Sequence, residues 1–350
     1  MVFMKRVEIG GRMIGPGYPC FIVAEAGVNH NGSITLAKKL IDAAKAAGAD
    51  AVKFQAFKTE RIVTKTAERA EYQKVAGGGS QYNLLKKLEL SGDEFEELAK
   101  YARRKKIIFL ATPFDEESTD LLEKLRVPAF KVSSGEITNF PLLKHIAKKR
   151  KPIIMSTGMS TIAEIREAIR VLGSGGAKDI VLLHCVSDYP AKVEEVNLKA
   201  METLRRTFKL PVGFSDHTLG ITVPIAAATL GAVVIEKHFT LDKRLPGPDH
   251  KASLEPSEFE DMVTGIREVE KALGDGIKRP TKGEDAIKKA IRRSIVAKIN
   301  ISKGTVITME MLELKRPGTG LGSEYFKKVI GKKARKNIMA DELIAIEKLV

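Results

Sequence analysis

Short β-rich runs recur along the first two thirds of the chain, at Phe21–Ala24, Ala51–Gln55, Ile107–Ala111, Phe130–Ser133, Ile153–Ser156, Ile180–Leu183, Val212–Phe214 and Val233–Glu236. Between them the apolar positions change to helical spacing: Thr35–Ala47 closed by Gly48, Asp93–Lys106, Glu116–Leu125, Phe140–Lys149, Thr161–Leu172, Asn197–Thr207 and Ile221–Leu230. A last helical pattern, Glu255–Leu273, follows the eighth run and is closed by Gly274. Continuously apolar strands alternating with helices of about 10–15 residues indicate a parallel sheet covered by helices. Eight such units predict a (β/α)8 TIM barrel. An open doubly wound sheet is the alternative, and the first βα junction lacks its GxGxxG turn.

After Gly274 the texture changes. A polar, basic connector leads into short β-branched runs, glycine turns and one-turn helices such as Thr308–Leu312. These predict a compact β-rich module, too small to be a second catalytic core. The expected organisation is a barrel over residues 1–277, a linker over 278–292 and the small module over 293–350. The segment from Phe57 to Leu90 is long for a βα loop and lies on the barrel's active face, so it reads as a lid or substrate loop.

Composition supports a folded protein: 350 residues, 43% hydrophobic and 29% charged, enough for a large core. The longest apolar stretch, Ile225–Ile235, is far short of the ~20 residues a membrane helix needs. The start MVFMKRVEIGG lacks a signal-peptide core, and Cys20 and Cys185 are too far apart in sequence to suggest a disulfide framework. A soluble, cytoplasmic protein with no membrane partner is expected. The net charge of +15 raises the question of nucleic acid. Its excess is concentrated from Lys278 to Val350, with 18 basic against 8 acidic residues. No RNP pattern, zinc-finger spacing or basic zipper accompanies it. Attraction for anionic small substrates is the better reading.

Chemistry in a barrel belongs at the C-terminal strand ends, and polar residues collect there. The ends read Glu25; Lys53 and Gln55; Thr112; Lys131, Ser133, Ser134 and Glu136; Ser156; His184, Cys185 and Ser187; Ser215, Asp216 and His217; Glu236, Lys237 and His238. His217 and His238 end strands 7 and 8, which are neighbours in a barrel, so their imidazoles could bind one metal and leave positions open for substrate. A single histidine there is more often just a hydrogen-bonded strand end. Lys53 and Lys131 project from strands where an unpaired ammonium would be costly. With the hydroxyls of Thr112, Ser134, Ser156, Ser187 and Ser215 around them they suit a phosphate or carboxylate. The alternatives are a structural Lys–Glu network with Glu25, Glu136 and Glu236, or a Schiff-base lysine.

Taken together, IVAEAGVNHNG, DAVKFQAFKTE, ATPFDEES, KVSSGEITNFPLL, MSTGMST, LLHCVSDYP, GFSDHTLG and IEKHFTLDKRLPGPDHKAS resemble the sialic acid synthase (N-acetylneuraminate synthase) family. The C-terminal segment resembles its antifreeze-like (SAF, β-clip) domain, and the likeness spans about residues 16–350. The resemblance implies condensation of phosphoenolpyruvate with an N-acetylhexosamine and water, giving a nonulosonic acid plus phosphate. It implies a divalent metal, manganese in the first place, with magnesium and cobalt as alternatives, held by His217 and His238. Lys53, Thr112, Lys131, Ser134, Ser156, Ser187 and Ser215 match positions that hold phosphoenolpyruvate. Glu25, Gln55, Glu136, Tyr189 and Asp249 match the sugar side, and Glu236 a catalytic carboxylate.

The family's domain-swapped homodimer implies that Arg316, in KRPGTG, reaches over a partner subunit's sugar. AIKKAIRRSIVA lacks an aromatic that some members place at the sugar. N-acetylmannosamine, its 6-phosphate and diacetamido sugars therefore all stay open as acceptors. In the implied chemistry the enol carbon attacks the acceptor's aldehyde, Glu25, Glu136 or Glu236 stabilises the charge that develops at C2, and phosphate leaves by C–O cleavage. Another barrel aldolase, a 3-deoxy sugar-acid synthase or a non-catalytic carbohydrate-binding protein are the rival readings.

Overall fold

A computed structural model describes residues 5–70 and 79–350, which form two compact units, Met1–Gly274 and Asp275–Val350. The first opens with a hairpin, β1 (Val7–Ile9) and β2 (Arg12–Ile14), paired antiparallel about Gly10 and Gly11. Both glycines have positive φ, +58° and +80°, as the tight turn of a two-residue hairpin requires. This hairpin lies outside the eight strand–helix units of the linear pattern. Its signal is VEI and RMI flanking a Gly-Gly pair. Val7, Ile9 and Ile14 bury against the apolar interior of the barrel and close its lower end.

Eight parallel strands follow: β3 (Phe21–Gly27), β4 (Ala51–Ala56), β5 (Ile108–Pro113), β6 (Phe130–Val132), β7 (Ile153–Ser156), β8 (Ile180–Cys185), β9 (Val212–Asp216) and β10 (Val234–His238). The ladder runs β5-β4-β3-β10-β9-β8-β7-β6, so the first barrel strand pairs with the last. The sheet is a TIM-like barrel closed to all but the β5–β6 seam. Helices cover it, and their starts are written locally. Ser91 with Glu94 and Thr161 with Glu164 make reciprocal capping boxes ahead of Gly92–Lys105 and Ile162–Ser174. No helix among the described residues is long and apolar enough to cross a membrane.

The barrel interior is built in layers. Val23, Ala51, Leu110, Ala129, Ile154, Leu183 and Val234 belong to one buried apolar cluster. Two residues further along each strand, on the same face by the period of two, stand Glu25, Lys53, Thr112, Lys131, Ser156, Cys185 and Glu236. The eighth strand contributes Gly213 below Ser215. A Cβ at Gly213 would sit 2.4 Å from the Val234 carbonyl oxygen and 2.8 Å from Leu183 Cδ2, so only glycine fits this layer. The wall thus turns from apolar to polar over a single step. The strands extend past the apolar runs for that reason: Glu25, Asp216 and His238 are still strand.

The segment after β4 contains a one-turn helix, Thr59–Ile62, and a longer one, Gln81–Leu88, capped by Ser80. Leu84 and Leu88 pack on Val28 and Phe57. Residues 71–78 of the loop expected there lie outside the described residues. In the second unit, the connector over 278–292 contains a helix, Lys282–Ile291, started by a Thr281–Glu284 capping box. β11 (Ser294–Ala297) and β12 (Leu312–Lys315) then pair antiparallel over a core of Ile295, Ile301, Ile307, Val329, Ile338 and Ile344. A 3-10 turn, Met309–Met311, lies where the pattern predicts a one-turn helix.

Candidate functional site

The polar layer opens into a cavity of about 650 Å³ at the C-terminal ends of the strands. Every barrel residue to which the sequence assigns a metal, phosphoenolpyruvate, sugar or catalytic role lines it, from Glu25 on the first barrel strand to Asp249 beyond the eighth. Arg316 belongs to the second unit, where it is exposed and its Nε donates to the Ile291 carbonyl.

A buried charge network occupies the floor. Lys53 Nζ lies 2.6 Å from Glu25 Oε2 and 3.8 Å from Glu236 Oε2, and it donates to Thr112 Oγ1 at 3.1 Å. Lys131 Nζ lies 3.5 Å from Glu236 Oε1 and donates to Ser156 Oγ at 2.7 Å. Ser215 donates to Glu236, and Gln55 to Glu25, each at 3.0 Å. Burial alone would lower the Lys53 ammonium, but Glu236 and Glu25 outweigh it and hold Lys53 above its usual range. Burial wins at Lys131, which is pushed down despite Glu236. Burial also raises Glu25 against the pull of Lys53, whereas Lys131 and Lys53 together overcome burial at Glu236 and keep it ionised. Two carboxylates in one pocket are therefore driven to opposite protonation tendencies.

Glu136 stands apart from this network. It is half-buried, accepts from Asn139 Nδ2 at 2.7 Å, and is raised by burial.

His217 and His238 sit side by side, ring centroids 5.5 Å apart. His217 Nδ1 donates to the Val186 carbonyl at 2.6 Å, which fixes its tautomer and leaves Nε2 with a free lone pair. His238 Nδ1 makes no hydrogen bond among the described residues, and Asp249 Oδ2 lies 3.6 Å from it. Burial lowers both histidines, and the His217 ring adds to the effect on His238, so both imidazoles are neutral. Burial and Glu25 raise Asp249 to about 7. Two neutral imidazoles with open lone pairs, beside carboxyl oxygen, suit a divalent cation. No group of three or more His, Cys, Asp or Glu side chains among the described residues is arranged to hold one. A cation here would therefore rest on the two imidazoles and leave the rest of its shell to other ligands. Tyr189 packs on the pair, its ring 4.2 Å from that of His217.

The same cavity contains a cradle. Gly158 N donates to Ser134 Oγ at 2.9 Å, and a Cβ at Gly158 would fall 2.2 Å from Ser187 Oγ and 2.8 Å from Cys185 Sγ. The missing side chain lets a backbone face, two hydroxyls and a thiol close on one spot within reach of the Lys131 side of the pocket. From sequence, Cys185 is named only as a strand-end residue, and neither it nor Gly158 is assigned a role in the site. Strand parity is the signal for Cys185, which shares the inward face with Leu183. The same parity corrects the strand-end reading for three polar residues. His184, Asp216 and Lys237 do not line the cavity; they stand out of phase with its lining residues and face the helices.

Low Lys131 basicity is what a Schiff-base lysine would need, yet its contacts are Ser156, the Val132 carbonyl and Glu236. Borohydride added during turnover should leave the protein's mass unchanged; a stable adduct at Lys131 would establish imine chemistry instead.

A sequence profile of the NeuB family matches residues 40–278, and one of the SAF domain matches residues 292–350. The chain is 52% identical to the N,N'-diacetyllegionaminic acid synthase of Campylobacter jejuni, across 92% of this chain and 98% of that protein. It is 38% identical to the human N-acetylneuraminate-9-phosphate synthase, across 97% and 95% of the two chains. Among solved structures, the N-acetylneuraminic acid (sialic acid) synthetase of Leptospira borgpetersenii, in complex with citrate, superposes with a TM-score of 0.72 at 37% identity, covering 81% of this chain and 95% of that one.

Proposed function

The chain belongs to the NeuB family, with a SAF domain at its C-terminal end, and we propose that it condenses phosphoenolpyruvate with a diacetamido hexose to give a nine-carbon sugar acid and phosphate. It is a sialic-acid-synthase-type enzyme. The observation that carries the reading is one cavity lined by a cationic floor, a hydroxyl cradle and a pair of neutral histidines. The choice of acceptor rests on the greater likeness to the legionaminate synthase, 52% against 38% for the human 9-phosphate synthase. Phosphoenolpyruvate contains no nitrogen, so a product with two N-acetyl groups requires an acceptor that already has both.

Lys131, Lys53 and the hydroxyls of Thr112, Ser134, Ser156, Ser187 and Ser215 hold phosphoenolpyruvate by its phosphate and carboxylate. His217 and His238 hold a divalent metal, manganese before magnesium or cobalt, which when bound acts as a Lewis acid and orients the acceptor. Gln55, Tyr189, Glu136 and Asp249 line the sugar side. As the enol carbon attacks the aldehyde carbon, positive character develops at C2, and Glu236, ionised between two lysines, faces it. Glu25, raised by burial, can donate a proton to the aldehyde oxygen, which thereby becomes the new hydroxyl. Water then adds at C2, and the tetrahedral carbon expels phosphate with its bridging oxygen. Lys53 and Lys131 stay with the departing charge.

The test is phosphate release across a panel of N-acetylmannosamine, its 6-phosphate and 2,4-diacetamido hexoses, using phosphoenolpyruvate with heavy oxygen at the bridge. Turnover is expected with the diacetamido sugar, with the label in inorganic phosphate. Label kept by the sugar acid would mean P–O cleavage, and turnover confined to a monoacetylated acceptor would overturn the substrate choice.

Arg316 is proposed to act in trans, in a domain-swapped homodimer. Mixing Arg316→Ala subunits with Glu25→Ala subunits should restore part of the activity, since one site of each heterodimer keeps both groups. Heterodimers that form but stay inactive would place Arg316 in cis or outside the site.

A further inference from the structure

The two histidines of the site are linked, on the other side of the barrel wall, by an ion pair that the reaction does not use. Lys237 and Asp216 are cross-strand partners in the β10–β9 ladder. Their side chains point out of the barrel into the layer between sheet and helices, following Ile235 and Phe214 of the main core. Both side chains are wholly buried, and Lys237 Nζ lies 2.5 Å from Asp216 Oδ2. Lys237 also donates to the Thr218 carbonyl. Asp216 Oδ1 accepts from Thr218 N at 3.0 Å and Oδ2 from Thr218 Oγ1 at 3.1 Å. His217 therefore sits between two residues tied to one lysine, and that lysine is the residue immediately before His238.

Such a pair is a poor way to gain stability. Taking both charges out of water is costly, and well-packed apolar residues in the same space are often as stable or more so. What the pair supplies is geometry. It fixes the register of the two strands at their last paired position, and it fixes the turn that follows His217. A slip or twist there would re-aim both imidazoles.

We propose that Lys237 and Asp216 are positioning residues for the two-histidine cation site, acting through the backbone of β9 and β10 and not by contact with the ion. The proposal rests on the metal reading of His217 and His238 given above. The pair holds the two rings at the separation and tilt that let one cation engage both, as outer groups around metal ligands commonly do.

The test is Mn2+ binding to metal-stripped full-length protein, followed by calorimetry or by the electron paramagnetic resonance of free Mn2+, alongside thermal unfolding without metal. In the double variant Asp216→Leu with Lys237→Met, the melting temperature is expected to stay level or rise while Mn2+ affinity falls about 10–100-fold. Asp216→Asn keeps the side chain's shape and is expected to lose about 10-fold, toward the low end of that range. It decides the question should the double variant fail to fold. Unchanged affinity in a folded variant would overturn the positioning role. Wild-type protein that binds no Mn2+ would instead overturn the metal reading itself, so the two failures are distinguishable.

Discussion

Replacing His217 or His238 by alanine should reduce kcat/KM by more than about 100-fold, beyond the 10–100-fold typical of changes to residues that merely support a ligand. The protein should remain folded. Each imidazole is buried, but it lines a cavity, and removing it opens that cavity further instead of leaving a void in the packed wall. Chelator should reproduce the loss in wild-type protein, and added Mn2+ should reverse it. Full activity after exhaustive chelation would refute the metal role. The pH behaviour has a definite sign. Metal must compete with protons for imidazole nitrogen. Burial already lowers both histidines in the folded protein, so Mn2+ affinity should persist as pH falls through the ordinary imidazole range. A loss of Mn2+ centred near pH 6.5 would mean that the two rings titrate as if exposed.

Lys53→Met should be the most damaging change to the charge network. It removes the partner 2.6 Å from Glu25 and leaves that carboxyl buried with Gln55 as its remaining hydrogen-bond donor. Glu236 is less exposed to the loss because Lys131 stays beside it. Breaking one side of a buried pair costs about 3–5 kcal/mol. The sign of its pH dependence follows from Glu25, which burial already raises. Without Lys53 the folded state would bind a proton at this carboxyl that the unfolded chain has given up, so stability must fall as pH rises above the carboxylate range. Denaturant unfolding at about pH 5 and pH 8 should therefore show a larger deficit at pH 8. A deficit that shrinks toward pH 8 would mean that Glu25 is ionised without help from Lys53. Turnover should be lost as well, since the floor that holds phosphate would lose one of its two ammonium groups.

Much of the site is legible in the linear pattern because strand parity is a local property. Lys53 and Gln55 face inward together, as do Glu236 and His238, and the first of each pair lies two steps beyond an apolar residue of the barrel interior, Ala51 or Val234. The reading fails where it treats every polar strand-end residue as part of the site. Asp216 and Lys237 alternate with Ser215 and Glu236, so they face the helices, and their mutual pairing makes that burial tolerable. The hairpin at Val7–Ile14 is missed for another reason. Its strands are only three residues long, and Gly10-Gly11 is the one strong cue.

By itself, then, the sequence determines the alternation of strands and helices, the β-rich texture of the C-terminal module, and the ring of polar side chains on one end of a barrel. These follow from periodicity, which neighbouring residues set. Tertiary structure decides the pairing: that Lys53 answers Glu25 across β4 and β3, that Glu236 lies between Lys53 and Lys131, and that Gly158 lets Ser134, Ser187 and Cys185 converge. It also decides the electrostatics, since Glu25 and Glu236 are the same residue type with opposite shifts. The physical reason is that desolvation and charge–charge terms depend on distances between strands far apart in the chain. Those distances exist only once β10 has closed on β3.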